Sequence, residues 1–424
     1  MQIKYTPIFV RLLHVTATLD PAKGGVSEAV KSFISIAEQY PIVNEVVTLD
    51  GPGSNFLQSE HTSVNSLGPS YGFLRHSRIL LPWLIKNINR FDAVIVNGLW
   101  SYHSYAVWRA IEKLKKDKQK APLMFVMPHG MLDPYFQRAK ERWLKAIRNE
   151  FYWQLIERRV VNSADGLLFT CETELILARK TFRFYRPKKE YNVGYGIKKP
   201  PVFNIDMKTA FNQACPGLNG EPYILFLGRI DIKKGIDLLV KAYITLYKAK
   251  KILNESLPKL VIAGPGLETD FFKKIMEEIV QFPEISEQII LPGMLTGDAK
   301  WGAFYGCEAF ILPSHQENFG IAVVEALACA KPVLITNQVN IWSEINRAEA
   351  GIIADDDLEG VEKLLKTWLT LSENKKNQMG VEALGAYQKY FTLSENAREM
   401  INVISRDVNN DAAQNVYTAS YVEV

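Results

Sequence analysis

The chain has 424 residues, of which 47% are hydrophobic and 23% are charged. Such a length exceeds one ordinary hydrophobic core and predicts two domains of about 200 residues each, and the balanced composition excludes a disordered chain. No apolar run is long enough to cross a bilayer, so a transmembrane helix is not expected.

The cysteines give no sign of a metal site or of disulfide bonds. Four cysteines lie far apart without a CxxC pair: Cys171, Cys215, Cys307 and Cys329. A zinc site or disulfide framework is therefore not expected, and a reducing cytoplasm fits best.

The net charge of +4 is unevenly distributed along the chain. Residues 1–195 hold 27 Lys and Arg against 17 Asp and Glu, and the remaining residues hold 23 Lys and Arg against 29 Asp and Glu. The basic first half indicates an anionic partner, such as a membrane surface or a phosphate-bearing acceptor; the alternative is that these side chains only solvate helices.

The first predicted elements are a buried strand within residues 1–15 and a helix over residues 27–40. Gly24-Gly25-Val26 separates them. Two glycines let a backbone approach a ligand closely, and the following helix N-terminus favours an anion. A tight turn between strand and helix is the alternative interpretation.

Short apolar runs then alternate with helical stretches through most of the chain. The predicted buried strands lie in residues 91–98, 121–130, 165–170, 223–228, 259–266, 288–293 and 308–314. Fully apolar strands separated by helices indicate parallel sheets covered on both faces. The fold class is therefore α/β and doubly wound. A stretch rich in Gly, Pro and polar residues, 194–221, predicts the domain boundary.

One predicted helix, residues 137–159, carries an unusual pattern. Trp143, Ile147, Phe151 and Leu155 recur every four residues. Basic residues surround them, namely Arg138, Lys140, Arg142, Lys145 and Arg148. Such a helix could lie on an anionic membrane with its apolar face inward, or it could pack its aromatic stripe into the domain core.

Candidate ligand-binding residues follow the predicted strands, because ligands of open parallel sheets bind beyond the carboxyl ends of the strands. His129 follows the strand in residues 121–130. Arg229 ends the first strand of the second domain, and Lys234 lies at the entrance of the next helix. A guanidinium fork and a compact ammonium together suit a diphosphate. A pair of solvated lysines at a helix start is the alternative, although it opposes the helix dipole.

The segment 314–326 gives the strongest signal. Glu317 lies in a loop, and a predicted helix runs from Phe319 through Ala330. Backbone N–H groups at its start are free to hold a phosphate or a sugar hydroxyl. Glu325 lies within an apolar run and needs a partner, for which two sugar hydroxyls would serve.

Glu317-x7-Glu325 with Phe319-Gly320 between resembles the E-x7-E signature of the family-four retaining glycosyltransferases (group 1). Gly24-Gly25-Val26, Pro128-His129-Gly130 and Gly228-Arg229 with Lys234 occur in that family's order. The resemblance covers nearly the whole chain and implies the GT-B fold, in which two Rossmann-like domains face a central cleft. It implies an acceptor domain at 1–195 and a nucleotide-sugar domain at 196–392. It also implies that a C-terminal helix within 393–424, with Ser394–Val408 as the candidate, folds back onto the first domain.

The resemblance also implies roles for single residues. Arg229 and Lys234 would neutralise the donor diphosphate, Glu317 would hold donor-sugar hydroxyls, and Glu325 would accept from the ribose hydroxyls. His129 would lie beside the transferring sugar. The remaining donor contacts are backbone ones: Gly25 for the diphosphate, Met294 and Leu295 for the base, and Asn318, Phe319, Gly320 and Ile321 around the sugar. Asn318 departs from the family's frequent Gly and should alter sugar contacts.

The implied reaction is transfer of a hexose, glucose by family frequency, from a nucleoside-diphosphate sugar, most often a UDP-sugar. The acceptor would be a saccharide or lipid-linked molecule in polysaccharide biosynthesis, and no nucleic-acid partner is expected. Front-face displacement with retention needs no protein nucleophile. Metal independence is expected, because the only DxD-like run, Asp355–Asp357, reads as a polar loop, and no cofactor is expected.

Three other functions remain alternatives: a sugar-nucleotide epimerase, a phosphorylase and a non-catalytic sugar-nucleotide-binding protein. The G-x-G-x-x-G fingerprint of dinucleotide-dependent oxidoreductases is missing after the first strand.

Overall fold

The structure is a computed structural model that describes residues 10–54, 56, 62–139, 142–252 and 257–420. Contacts divide the chain into two compact units. Unit 1 comprises Met1–Gly196 and Leu393–Val424, and unit 2 comprises Ile197–Thr392.

Unit 1 is built on a seven-stranded, wholly parallel sheet. Its strands are β1 (Val10–Thr16), β2 (Ile42–Thr48), β3 (Ser63–Ser66), β4 (Ala93–Asn97), β5 (Leu123–Met127), β6 (Gly166–Phe169) and β7 (Glu190–Asn192). Their order in the sheet is β3-β2-β1-β4-β5-β6-β7. The helices between them are α1 (Gly25–Ala37), α2 (Leu80–Asn87), α3 (Tyr102–Lys116), α4 (Tyr135–Arg138), α5 (Trp143–Tyr152), α6 (Arg158–Ser163) and α7 (Glu172–Ala178). A π-helical turn, Trp153–Glu157, joins α5 to α6.

Unit 2 has a six-stranded parallel sheet in the order β10-β9-β8-β11-β12-β13. The strands are β8 (Tyr223–Leu227), β9 (Lys259–Ala263), β10 (Ile289–Gly293), β11 (Ala309–Leu312), β12 (Val333–Thr336) and β13 (Gly351–Ala354). The helices are α8 (Ile205–Ala214), α9 (Ile236–Ile252), α10 (Asp270–Val280), α11 (Pro283–Ser286), α12 (Gly297–Gly306), α13 (Ile321–Ala328), α14 (Trp342–Arg347), α15 (Leu358–Thr370) and α16 (Glu373–Tyr390). After them the last helix, α17 (Leu393–Ser420), returns to unit 1 and extends beyond the predicted Ser394–Val408.

Both faces of the unit 1 sheet are covered by apolar side chains. Leu13 and Val15 of β1 pack into one core cluster, and Val10 and Leu12 pack into another. Because successive side chains of a strand point to opposite faces, these clusters lie on opposite sides of the sheet. The second cluster includes residues from α1 and α17, for example Phe33 and Met400. The doubly wound α/β prediction is therefore confirmed.

The structure divides the predicted aromatic helix and leaves its apolar stripe exposed. The predicted helix 137–159 is interrupted, because α4 ends at Arg138 and Ala139 is extended; Lys140 lies outside the described residues. The core-packing interpretation of its stripe is wrong. Trp143 and Phe151 are 60% and 66% exposed, and Ile147 and Leu155 are 50% and 64% exposed.

No helix among the described residues is long and apolar enough to cross a membrane. All four cysteines lie in the described part of the chain, where each is buried and none forms a disulfide.

Candidate functional site

The central contact of unit 2 joins two loops at the carboxyl edge of its sheet. After β8 the chain forms a 3-10 turn, Ile232–Lys234, which Asp231 caps by accepting a hydrogen bond from the Lys233 N–H at 3.0 Å. Gly235 follows with φ +66°, and a Cβ there would lie 2.0 Å from the carbonyl oxygen of Pro313. Only glycine allows this approach, so the β8–α9 connection packs directly on the loop after β11.

That approach places the Lys234 ammonium on the Glu317 carboxylate, to which it donates a hydrogen bond. Each side chain is 19% exposed. Burial opposes ionisation of Glu317, but the charges of Lys234 and Lys233 and the hydrogen bonds from Lys234 and the Gly320 N–H outweigh it and lower the pKa of Glu317. The carboxylate is therefore ionised at neutral pH. Two side chains predicted separately from the sequence form one cluster.

Backbone hydrogen bonds fix the Glu317 loop from the other side. The Glu317 N–H donates to the Gln338 carbonyl at 2.9 Å, and the Asn340 N–H donates to the Glu317 carbonyl at 2.9 Å. The Asn340 amide also donates to Asn318 Oδ1 at 3.3 Å. The loop after β12 thus holds Glu317 and Asn318 in position, a role that the sequence analysis did not assign to Asn340.

The next residues lead into α13, which is shorter at both ends than the predicted helix from Phe319 through Ala330. Phe319 is buried, with its ring 5.8 Å from that of Phe391. Gly320 precedes the helix with φ +77°, and Ile321 is its first residue. The backbone around Asn318 to Ile321 therefore lies at a helix N-terminus, where N–H groups lack intrahelical partners.

Glu325 has a protein partner that the sequence analysis missed. Lys300, from α12, donates to Glu325 Oε1 at 2.6 Å. This ion pair explains how a carboxylate is tolerated in the apolar helix α13. No pattern in the sequence connects the two residues, which lie on separate helices.

The remaining predicted residues of unit 2 lie at the same carboxyl edge. Arg229 is exposed just after β8. Met294 and Leu295 follow β10, the first exposed and the second buried. A Cβ on Gly264, after β9, would lie 1.8 Å from the Gly228 carbonyl oxygen, so this glycine serves close packing of the strand ends.

The acidic run Asp355–Asp357 is occupied by protein contacts. Asp355 accepts from Asn337 at 2.5 Å, and Asp357 caps α15 by accepting from the Gly360 N–H at 2.7 Å. Asp356 contacts His315 Nδ1 at 3.0 Å. Among the described residues, no group of three or more His, Cys, Asp and Glu side chains is placed to hold a metal ion.

In unit 1, His129 and Gly25 also follow strand ends. Gly25 is the first residue of α1. His129 adopts φ +52°, an uncommon conformation for a non-glycine residue, and its Nε2 lies 3.3 Å from Asn97 Oδ1. Burial lowers the pKa of His129 to about 4, so its ring is neutral at pH 7. His129, Asn97 and His14 line a cavity among apolar side chains from β5, α1 and α17.

A buried carboxylate that the sequence analysis missed supports the His129 loop. Glu174 of α7 accepts from the Gly130 N–H at 2.5 Å and from the Thr170 N–H at 2.7 Å. A buried Glu beside a strand end was the available signal, but helical Glu residues are too common for it to stand out.

Comparison with known proteins finds a family match within unit 2. Residues 210–384 match the model of the glycosyl transferases group 1 family. An uncharacterised glycosyltransferase of Methanocaldococcus jannaschii is 27% identical over 233 residues, which cover 52% of this chain and 55% of that protein. O-antigen chain mannosyltransferase C of Escherichia coli is 22% identical over 256 residues, covering 59% of this chain and 63% of that protein. The chain thus spans little more than half the length of these curated relatives.

Solved structures share the fold of the whole chain. Sucrose-phosphate synthase of Thermosynechococcus elongatus has a TM-score of 0.70 at 17% identity, over 93% of this chain and 98% of that one. Anabaena HepE, solved with UDP and glucose, has a TM-score of 0.68 at 15% identity, over 94% and 100%. WaaG, a glycosyltransferase of lipopolysaccharide biosynthesis, has a TM-score of 0.65 at 14% identity, over 93% and 99%. These likenesses establish the two-domain GT-B architecture. Arg229, Lys234, Glu317 and Glu325 all lie within residues 210–384, the segment that matches the group 1 glycosyl transferase model.

Proposed function

We propose that the chain is a retaining glycosyltransferase that moves a hexose from a nucleoside-diphosphate sugar to a saccharide or lipid-linked acceptor in polysaccharide biosynthesis. The contact between Lys234 and Glu317 carries the proposal. It brings a cation suited to a diphosphate and an ionised carboxylate suited to sugar hydroxyls to one point. Both residues lie within the segment that matches the family.

In the proposed donor site, Arg229 and Lys234 bind the diphosphate and Glu317 accepts hydrogen bonds from the donor sugar. Glu325, oriented by Lys300 at 2.6 Å, accepts from the ribose hydroxyls. The backbone of Met294 and Leu295 contacts the base, and backbone groups of Asn318, Phe319, Gly320 and Ile321 surround the sugar.

The proposed reaction breaks the bond between the anomeric carbon and the diphosphate oxygen while an acceptor hydroxyl attacks the same face of the sugar. The acceptor proton passes to the leaving phosphate oxygen. The chain's contribution is positioning and charge stabilisation of the leaving group by Arg229 and Lys234. His129 of unit 1 is neutral because burial lowers its pKa, so its ring can both donate and accept hydrogen bonds with a saccharide hydroxyl. We propose that neither a metal ion nor a cofactor is needed.

As donor we propose a uridine diphosphate hexose, with UDP-glucose the first to test. The support is that HepE, which shares the fold, was solved with UDP and with UDP-glucose. The similarity to an O-antigen chain mannosyltransferase supports a saccharide acceptor. We further propose that the chain works in the cytoplasm, at the periphery of the inner face of the membrane.

A donor screen tests the proposal. The full-length protein is mixed with UDP-glucose, UDP-galactose, UDP-N-acetylglucosamine and GDP-mannose, and its thermal stability is measured. A ligand at a hundred times its dissociation constant adds about 2.7 kcal/mol. Release of nucleoside diphosphate is then followed with saccharide acceptors, and NMR of the product gives the anomeric configuration.

The outcomes separate the candidate functions. Transfer with a retained anomeric configuration supports the proposal, and inversion contradicts the retaining mechanism. Conversion of the nucleotide-sugar without diphosphate release would identify an epimerase. Thermal stabilisation without turnover on any acceptor would favour a binding protein. If no nucleotide-sugar stabilises the protein, the donor site itself is wrong.

A further inference from the structure

A row of apolar side chains on α5 and the π-helical turn faces solvent. This apolar ridge consists of Trp143, Leu144, Ile147, Phe151 and Leu155, each at least half exposed. Soluble domains rarely expose large apolar side chains in a contiguous row, and such rows mark interaction sites.

The ridge is exposed because another stripe of the same helical segment anchors it. Asn149, Trp153 and Glu157 are buried, and each lies two residues from a ridge residue. Two residues rotate a helix by about 200°, so the two stripes occupy opposite sides. The Trp153 ring stacks on Phe182 at 4.6 Å, and its indole N–H donates to the Arg183 carbonyl at 2.9 Å. The core side of the segment is thus already filled.

Two further exposed aromatic side chains extend the ridge. Phe73, from the loop after β3, lies under the Arg148 guanidinium at 5.8 Å. Phe184 lies under the Arg158 guanidinium at 5.5 Å. The Asn162 side chain fixes the Phe184 segment by donating to the Phe184 carbonyl at 2.9 Å.

The charges around the ridge identify its partner. Arg142, Lys145, Arg148, Arg158 and Arg159 belong to the same segment, and Arg183, Arg186 and Lys188 follow Phe182. The acidic residues of residues 142–163 are Glu150 and Glu157, and Glu157 is buried. An apolar row bordered by Lys and Arg is complementary to a lipid surface with anionic headgroups, where apolar side chains enter the acyl boundary and cations contact phosphates. A protein groove would need matching carboxylates for at least five cations.

We propose that the apolar ridge, with Phe73 and Phe184, docks unit 1 on anionic phospholipid membranes. The proposal deepens the proposed function, on which it rests only for the idea that a lipid-linked acceptor lies at that surface. The side chains that insert are Trp143, Ile147, Phe151 and Leu155. Arg142, Lys145 and Arg148 bind lipid phosphates.

The test is co-sedimentation of the full-length protein with vesicles of phosphatidylcholine, with and without phosphatidylglycerol. Wild-type protein should bind only the phosphatidylglycerol vesicles at low salt, and less as salt rises, because the Debye length falls to about 8 Å at physiological ionic strength. Lys145→Glu with Arg148→Glu should weaken binding at least about tenfold, since each basic residue near the surface contributes about 1 kcal/mol. Phe151→Ser with Leu155→Ser should weaken binding by a similar factor.

Matched controls lie elsewhere on the chain. Lys116→Glu removes an exposed charge from α3, and Val381→Ser removes an exposed apolar side chain from α16; both variants should bind like the wild type. Transfer to a water-soluble acceptor should be unchanged in Phe151→Ser with Leu155→Ser, so failure of the ridge is distinguishable from failure of the proposed function. The proposal is overturned if the wild type stays in the supernatant at low salt, if it binds pure phosphatidylcholine equally well, or if the ridge variants bind normally. It is also overturned if ultracentrifugation shows a dimer that the ridge variants dissociate, because the ridge would then bind a second copy.

Discussion

Removing the Lys234 ammonium should reduce both stability and transfer, and only the stability should be recoverable by a second substitution. Lys234→Met leaves an ionised Glu317 in a site where its side chain is 19% exposed. Breaking a fully buried pair costs about 3–5 kcal/mol, and exposed pairs contribute at most about 1 kcal/mol. Because some solvent reaches this pair, we expect Lys234→Met to lower the free energy of unfolding by about 2–3 kcal/mol.

Adding Glu317→Gln to Lys234→Met removes the stranded charge. The two residues are in contact, so their effects should be non-additive by about 0.5–3 kcal/mol, and the double variant should regain most of the lost stability. Transfer should stay about 10²–10³-fold below wild type, as for loss of a preorganised charge donor. The pair also has a pH signature: Glu317 has a lowered pKa, so its stabilisation is complete above pH 4.5, its ordinary value, and is lost as pH falls below it.

The assay combines hydrogen exchange of the peptides around α13, which reports opening of unit 2 by itself, with kcat/KM for the best donor. A surface pair of unit 2, Lys366 and Glu362 at 2.6 Å, supplies the control. The cycle Lys366→Met with Glu362→Gln should show coupling below about 0.5 kcal/mol and normal transfer. Recovery of transfer together with stability in the Lys234→Met, Glu317→Gln variant would refute the donor-site assignment and leave a purely structural pair.

Four other outcomes follow from the same structure. Arg229→Ala should slow transfer about 10²–10³-fold, and full activity would remove Arg229 from the site. Transfer should persist in excess EDTA; complete loss restored by Mn²⁺ would contradict the polar-loop interpretation of Asp355–Asp357. Burial lowers the pKa of His14 to about 4, so stability should fall as pH drops from 6.5 to 4, and His14→Leu should reduce the slope of a pH series of urea unfolding by up to about 1.4 kcal/mol per pH unit. Burial raises the pKa of Glu157 to about 7, so the stability that neutral Glu157 contributes is complete below pH 4.5 and is lost as pH rises through 7. Glu157→Gln should therefore gain stability relative to wild type above pH 7. If the difference in unfolding free energy between the variant and the wild type is the same at about pH 5 and about pH 8, the raised pKa is contradicted.

The sequence predicted β1, β4 to β6 and β8 to β11, and it missed β2, β3, β7, β12 and β13. β4 and β8 are buried on both faces and therefore appear as continuous apolar runs. The edge strands β3, with the sequence SVNS, and β7, with EYN, are short and polar, so their sequences do not differ from loops. Pairing with a neighbouring strand, which is a tertiary property, makes them strands.

The direction in which α5 faces could not be read from periodicity. Its segment carries apolar side chains on both sides, with Trp153 on one and Phe151 on the other. The exposed stripe is the more apolar one, because the buried stripe holds Asn149 and Glu157 beside Trp153. Packing of Trp153 on Phe182 decides which side is buried, and that contact joins residues 29 positions apart.

The candidate site was predicted as a set of residues but not as an arrangement. Lys234 and Glu317 are 83 residues apart, and nothing local in the sequence indicates that they touch. Their contact depends on Gly235, whose missing side chain lets one loop pass over the other. The glycine beside the lysine therefore has a packing explanation, independent of any ligand.

The charge balance of unit 2 links this packing to the proposed donor. Each carboxylate of the E-x7-E motif is matched by a lysine, Glu317 by Lys234 and Glu325 by Lys300. Without those lysines, two carboxylates at one sheet edge would repel a diphosphate. With them, each of the two pairs is neutral by itself. Attraction to the donor and hydrogen bonding of its hydroxyls can then coexist at the same edge, because the acceptor groups are already charge-compensated before the ligand arrives.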